Sequence, residues 1–231
     1  MMASRWAHSV LIALGGLALG QAAHAQSTCE PARAAADFSL TRQIIRDGMA
    51  RDSLPGLAIS VVCGDSILWA EGFGWANREK RVPATAHTPF YLASVTKTIT
   101  ATALMVLRQR GQLDLDSPVN EYLGGARLTS YAWDANGATL RGLATHTSGL
   151  TTFDLGCSAP QQRCRLPSTR EIIERYGVIV APPGQQFDYS NLGYLLLGEA
   201  VARASKRDLG AFLEDEVFGP LGMRESSLGV R

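Results

Sequence analysis

The stretch from Thr96 to Arg110 constrains the fold most. Ile99, Ala103, Val106 and Leu107 recur at helical spacing, and apolar residues also occupy the flanks, so the pattern predicts a buried helix. Gly111 supplies its stop. Leu192 to Ala204 is a second such segment, apolar on most sides. Ahead of both lie two β-type runs, Leu57 to Cys63 and Ile67 to Trp75, joined around Gly64 and Asp65. That pattern predicts a hairpin. Ala34 to Ala50 reads as a helix whose apolar positions are Phe38, Ile44, Ile45 and Met49, and Pro89 to Leu92 as a short extended piece. Ser168-Thr169-Arg170-Glu171 has the form of a capping box opening a helix to Tyr176, and Asp208 caps a last helix to Val217. An early hairpin followed mostly by helices predicts an α/β or α+β chain, although two strands are too few for a complete sheet.

The 231 residues suffice for one sizeable domain, and 46% apolar with 19% charged residues is an ordinary globular balance. Residues 1–25 are set apart. Arg5, the apolar run Val10 to Gly20 and the small-x-small Ala23-His24-Ala25 have the form of a cleaved signal peptide. The run is too short for a stable membrane span, which needs about 20 apolar residues. The remaining 26–231 is expected to be the functional domain, secreted or periplasmic, starting at Gln26. Without Arg5 the basic and acidic residues balance at 21 each. This excludes a basic footprint for nucleic acid and a polybasic membrane patch. Cys29, Cys63, Cys157 and Cys164 all lie beyond the segment, an even count that suits disulfides in an exported chain. Of the three pairings, the irregular stretch between Cys157 and Cys164 favours joining those two, which leaves Cys29 with Cys63. The spacings fit no zinc pattern, and no metal or cofactor is expected.

Ser94-Val95-Thr96-Lys97 sits at the start of the strongest helix. If the helix begins at Ser94, residues i and i+3 share a face, and the Lys97 amine lies one turn from the Ser94 hydroxyl. A serine hydroxyl is a weak nucleophile until a base takes its proton. Burial that lowers the lysine's pKa would make Lys97 that base. The helix N-terminus would favour a developing oxyanion. The same four residues also describe an ordinary N-capped helix. The second element is Tyr189-Ser190-Asn191, between a turn and the apolar helix. A phenol can relay protons, and an amide offers both a donor and an acceptor, to Lys97 or to a substrate.

Phe90-Tyr91-Leu92-Ala93-Ser94-Val95-Thr96-Lys97-Thr98 resembles the nucleophile segment of the beta-lactamase-related serine hydrolases, which include class C beta-lactamases, D-alanyl-D-alanine carboxypeptidases and carboxylesterases. The supporting phrases follow in order: Gly111 to Asp116 with Pro118-Val119, Thr145-His146-Thr147-Ser148-Gly149-Leu150, Pro183-Gly184, Tyr189-Ser190-Asn191 and Gly219 to Met223. The resemblance runs from Ile44 to Met223. It implies a beta-lactamase/transpeptidase-like fold, with helices packed on an antiparallel sheet. It also implies Ser94 as acyl-forming nucleophile, Lys97 and Tyr189 as the acid/base pair, and Asn191 as substrate and lysine contact. The substrate would be a β-lactam, a D-amino-acid peptide or an ester.

The chain departs from the family in one respect. A third Lys/His-x-Gly motif is expected on a strand beside the nucleophile, and nothing after Asn191 fits it: Lys206 is followed by Arg207 and Asp208. The resemblance therefore implies strands and a closing helix beyond Arg231, including one donor of the oxyanion hole. A sensor-like module or an inactive fragment is the competing expectation. No Gly-x-Ser-x-Gly elbow supports an α/β-hydrolase. His146 and His87 read as loop residues, and Thr151 to Pro167 as either a binding lid or a surface excursion. Oligomeric state is left open by the sequence.

Overall fold

The computed structural model describes residues 37–152 and 167–229. The expected signal peptide, Cys29, Cys157, Cys164 and most of the proposed lid lie outside them. Cys63 is not a free thiol. The chain divides into two compact units, one ending at Thr88 and the other beginning at Pro89.

The first unit places one helix on an antiparallel sheet. Helix α1 is Ser39–Arg51, and strands β1 (Gly56–Cys63), β2 (Ser66–Asn77) and β3 (Val82–Pro83) pair in that order. The hairpin turn falls where the sequence puts it: Cys63 opposes Ser66, and Gly64 takes a φ of +54, which a glycine adopts without strain. Phe38 stacks on Trp69 of β2 with ring centroids 4.7 Å apart. Glu71 Oε2 accepts from Arg42 Nε at 2.6 Å and from Trp69 Nε1 at 2.8 Å. Among the described residues of this unit, only Trp69, Phe73 and Ala84 are buried apolar side chains.

Two expectations for this unit need correction. Asp37 and Phe38 lie outside the helix, which begins at Ser39 with Phe38 at the N-cap and no side-chain cap, while the Asp37 carboxylate accepts from the Ser39 N–H at 2.8 Å; Ala34 to Ala36 lie outside the described residues. Ile44 is not on the packed face: it is 62% exposed, whereas Thr41, Arg42, Ile45, Gly48 and Met49 form the half-buried stripe. The stripe follows i, i+1, i+4, i+7, i+8, and Ile44 falls outside it.

The second unit is mostly helical. A 3-10 turn, Ala93–Val95, leads into α2 (Thr96–Gln109). Then follow α3 (Leu140–Ala144), α4 (Thr169–Tyr176), α5 (Asn191–Ser205) and α6 (Leu209–Leu213), which runs into a π-helical turn, Glu214–Phe218. Two-residue strands β4 (Thr129–Ser130) and β5 (Val178–Ile179) pair in parallel. Neither was legible in the sequence, since two residues carry no period. Helix α5 buries Leu192, Leu196, Leu197, Ala200 and Val201, and packs on α2 through Ala103, Leu104 and Leu107. Phe212, Leu213, Val217 and Phe218 close the same core. The capping box on α4 is complete, with Ser168 accepting from the Glu171 N–H while the Glu171 carboxylate accepts from the Ser168 N–H. Asp208 caps α6 through the Ala211 N–H.

Two further expectations change here. Helix α2 is amphipathic rather than buried all round: it hides Thr100, Ala103, Leu104 and Leu107 and leaves Met105 exposed. Pro89 to Leu92 forms no strand, having no ladder partner among the described residues, and Tyr91 is 95% exposed. No helix of the described residues is long and apolar enough to cross a membrane.

Candidate active site

The loop before α2 sets Ser94 apart from an ordinary helix residue. Ala93 has a φ of +47, in the left-handed region that costs a non-glycine residue about 1–3 kcal/mol. Ser94 follows it in the 3-10 turn, and the α-helix begins at Thr96, where the sequence pattern starts it, not yet at Ser94. The one-turn relation survives, because 3-10 and α geometries both bring i and i+3 close. Lys97 Nζ donates to Ser94 Oγ at 3.2 Å.

Helix α5 brings in the other two residues. Ser190 is its N-cap: the hydroxyl accepts from the Gly193 N–H at 3.0 Å and donates to the Thr151 carbonyl at 2.8 Å. Tyr189 and Asn191 flank that cap. Tyr189 Oη donates to Ser94 Oγ at 2.8 Å, and Lys97 Nζ donates to Asn191 Oδ1 at 2.6 Å. All four residues predicted from the sequence therefore meet, across 95 positions of chain. Lys97 Nζ also lies 4.7 Å from the centre of the Tyr189 ring and 5.6 Å from that of Tyr194.

The electrostatics centre on Tyr189. Hydrogen bonding to Lys97 and then to Ser94, together with the Lys97 charge, holds the phenol below its ordinary value against a small opposing effect of burial. Burial and then a neighbouring Tyr189 charge push the Tyr194 phenol up. Lys97 is half-buried rather than buried, so the desolvation expected from its apolar flank is incomplete. The reason is the open cavity beside it. About 480 Å³ in volume, it is walled by Thr98, Ala101, Thr102 and Met105 of α2 and by Ala144, His146 and Tyr194.

Two further residues stand at the site: His146, which the sequence read as a loop residue, and Tyr194, which it did not single out. Gly149 sets the loop carrying His146. Its φ is +79, and a Cβ there would come within 2.2 Å of the Ala181 carbonyl oxygen. The phrase Thr145 to Leu150 was the available signal, but nothing local says which side chain it presents. Among the described residues no group of His, Cys, Asp and Glu could hold a metal ion.

A family model described as Beta-lactamase matches residues 41–231. The chain belongs to the Beta-lactamase family. Beta-lactamase-like protein 2 of Dictyostelium discoideum is 31% identical over 193 residues, which span 80% of this chain and 35% of that protein. Two solved structures share the fold. The octameric penicillin-binding protein homologue of Pyrococcus abyssi matches with a TM-score of 0.69 at 31% identity, over 81% of this chain and 43% of that one. The Beta-lactamase/D-alanine carboxypeptidase of Yersinia pestis also matches with a TM-score of 0.69, at 27% identity, over 83% and 56%. The fold is thus beta-lactamase/transpeptidase-like, and the chain spans about a third to a half of the length of the relatives it matches.

Proposed function

We propose that the chain carries the nucleophile of a serine hydrolase that works through an acyl-enzyme on Ser94. The observation that carries this reading is the convergence of Lys97 Nζ and Tyr189 Oη on Ser94 Oγ. In the resting arrangement both neighbours donate to Oγ. Reaction begins when Tyr189, as phenolate, instead accepts the Ser94 proton. The Lys97 ammonium stabilises that phenolate, and Asn191 holds the ammonium in place. Oγ then attacks the substrate carbonyl, and the Tyr189 proton passes to the leaving nitrogen or oxygen. Water reverses the sequence: Tyr189 takes a proton from the water whose oxygen bonds to the acyl carbon, the acyl–Oγ bond breaks, the acid leaves, and the Tyr189 proton returns to Ser94 Oγ. General acid–base transfer of this kind contributes about 10²–10⁴ in rate. The Ser94 N–H is one donor for the oxyanion.

The substrate class is an ester, a D-amino-acid peptide or a β-lactam, all of which share the first step. Similarity to a Beta-lactamase/D-alanine carboxypeptidase and to a penicillin-binding protein homologue favours the latter two. Asn191 also serves as an amide contact for substrate. Residues 1–25 direct export to a secreted or periplasmic location, where the cysteines form disulfides and Gln26 becomes the first residue; N-terminal sequencing of the exported protein tests this.

A fluorophosphonate or fluorescent penicillin should label the chain at Ser94. Labelling that survives Ser94→Ala, or none at all, overturns the assignment. Stoichiometric penicillin labelling without turnover would move the chain to a penicillin-binding, sensor-like role.

A further inference from the structure

The acyl-transfer steps leave His146 without a role. The His146 carbonyl accepts from the Asp188 N–H at 2.7 Å, and His146 Nδ1 accepts from the Ser190 N–H at 3.1 Å. These two bonds straddle Tyr189. The imidazole lies 4.5 Å from the Tyr189 ring at an angle of 34°, and the rings of Tyr194 and Phe187 stand 5.2 and 5.5 Å away. His146 itself has a φ of +59, a left-handed conformation that a β-carbon makes costly. We propose that His146 is the positioning residue for Tyr189: as a neutral imidazole it fixes the backbone on both sides of the phenol and so holds Tyr189 Oη against Ser94 Oγ. The kinetic consequence rests on the acyl-transfer reading; the geometry does not.

To accept a bond, Nδ1 must be bare, which puts the imidazole proton on Nε2. An imidazolium would aim an Nδ1–H at the Ser190 N–H, donor against donor. The groups facing the ring are Lys97 from α2, Tyr189, and Tyr194 from α5. Burial first, and then the Lys97 charge, hold the imidazole below its ordinary value. A lowered value means the Nδ1 bond to Ser190 is present at neutral pH and is lost as pH falls through it, leaving only the backbone bond to Asp188. Acylation should therefore have an acid limb that belongs to His146, separate from the rise with pH that belongs to the Tyr189 phenol.

The experiment pairs two variants with one spectrum. His146→Phe keeps a ring and removes the acceptor. His146→Asn restores an acceptor and tolerates the left-handed backbone. Fluorophosphonate labelling of Ser94 should slow about 10- to 10²-fold in His146→Phe, the size of effect expected from a misplaced catalytic group. His146→Asn should recover most of the rate and lose the acid limb. A wild-type rate and an unchanged acid limb in His146→Phe overturn the proposal. Nitrogen-15 NMR of the full chain tests the clamp independently of reactivity. It should find a bare Nδ1 and a Ser190 amide shift that titrates with the imidazole; a protonated Nδ1, or a Ser190 amide indifferent to the titration, overturns it. If the unmodified chain does not label at all, the acyl-transfer reading falls alone, and the NMR result still decides the role of His146.

Discussion

The two units of the chain are stabilised in different ways. Among its described residues, the unit ending at Thr88 has few deeply buried apolar side chains and relies on its ladder, the Phe38–Trp69 stack and the hydrogen bonds that gather on Glu71. Val62 and Ile67, next to the hairpin turn, are exposed. The unit beginning at Pro89 has a closed core in which α5 is buried on most of its faces, and the three proposed catalytic residues and Asn191 stand on that core. The difference teaches where precision is kept. Exposed pairing tolerates small shifts, whereas a close-packed interior transmits them to whatever it carries.

The sharpest way to probe this contrast is at Tyr189. Tyr189→Phe removes the relay without touching the core. Acylation should fall about 10²–10⁴-fold, and the rise in rate with pH should disappear while the melting curve is unchanged. A rate that keeps its pH dependence would remove Tyr189 as the base. The wild-type rise should come below the ordinary phenol range, because the folded value is lowered and the reactive phenolate accumulates above it. Next in size is Phe212→Ala. The ring is 1% exposed, and its loss should cost the second unit about 3–5 kcal/mol in denaturant unfolding, with loss of labelling once that unit melts. Retained stability would mean the core is less closed than described. Ser190→Ala should cost about 0.5–2 kcal/mol by removing the α5 cap, and should slow acylation as well, because the cap lies between Tyr189 and Asn191. Stability lost with the acylation rate intact would separate the cap from the chemistry. The smallest effect belongs to the first unit. Arg42, and then Trp69, hold the Glu71 carboxyl below its ordinary value, so its contribution is present above the unfolded value and fades as pH falls through the folded one. Glu71→Gln should lower the melting temperature slightly at pH 7, and the difference from the unmodified chain should shrink as the solution is made acid, leaving Ser94 labelling alone. A change in labelling would tie the hairpin to the site.

The sequence made much of this legible wherever the determinant was local. The Gly64 turn, the Ser168–Glu171 box, the Asp208 cap and the ends of α2 each depend on a few adjacent residues. Ser94, Lys97, Tyr189 and Asn191 were found because their phrases come in a recognisable order, not because either short motif is informative alone. What stayed hidden depends on distant partners. The pairing of β4 with β5 joins two dipeptides far apart in the chain. The role of His146 depends on bonds to residues 188 and 190. The half-buried state of Lys97 depends on a cavity formed by three helices and a loop, and no hydropathy pattern around residue 97 reports it. Ala93 showed nothing at all, since a left-handed alanine has no signature in composition.

The first turn of α5 carries a consequence for how activity should be counted. Winding that turn seats Tyr189 and Asn191 in one event, so molecules with the turn frayed form a dark fraction rather than slow catalysts. Mild denaturant should then shrink the burst amplitude of acylation before it alters the burst rate, and titrating reactive Ser94 would read out the local melting of a single helix end.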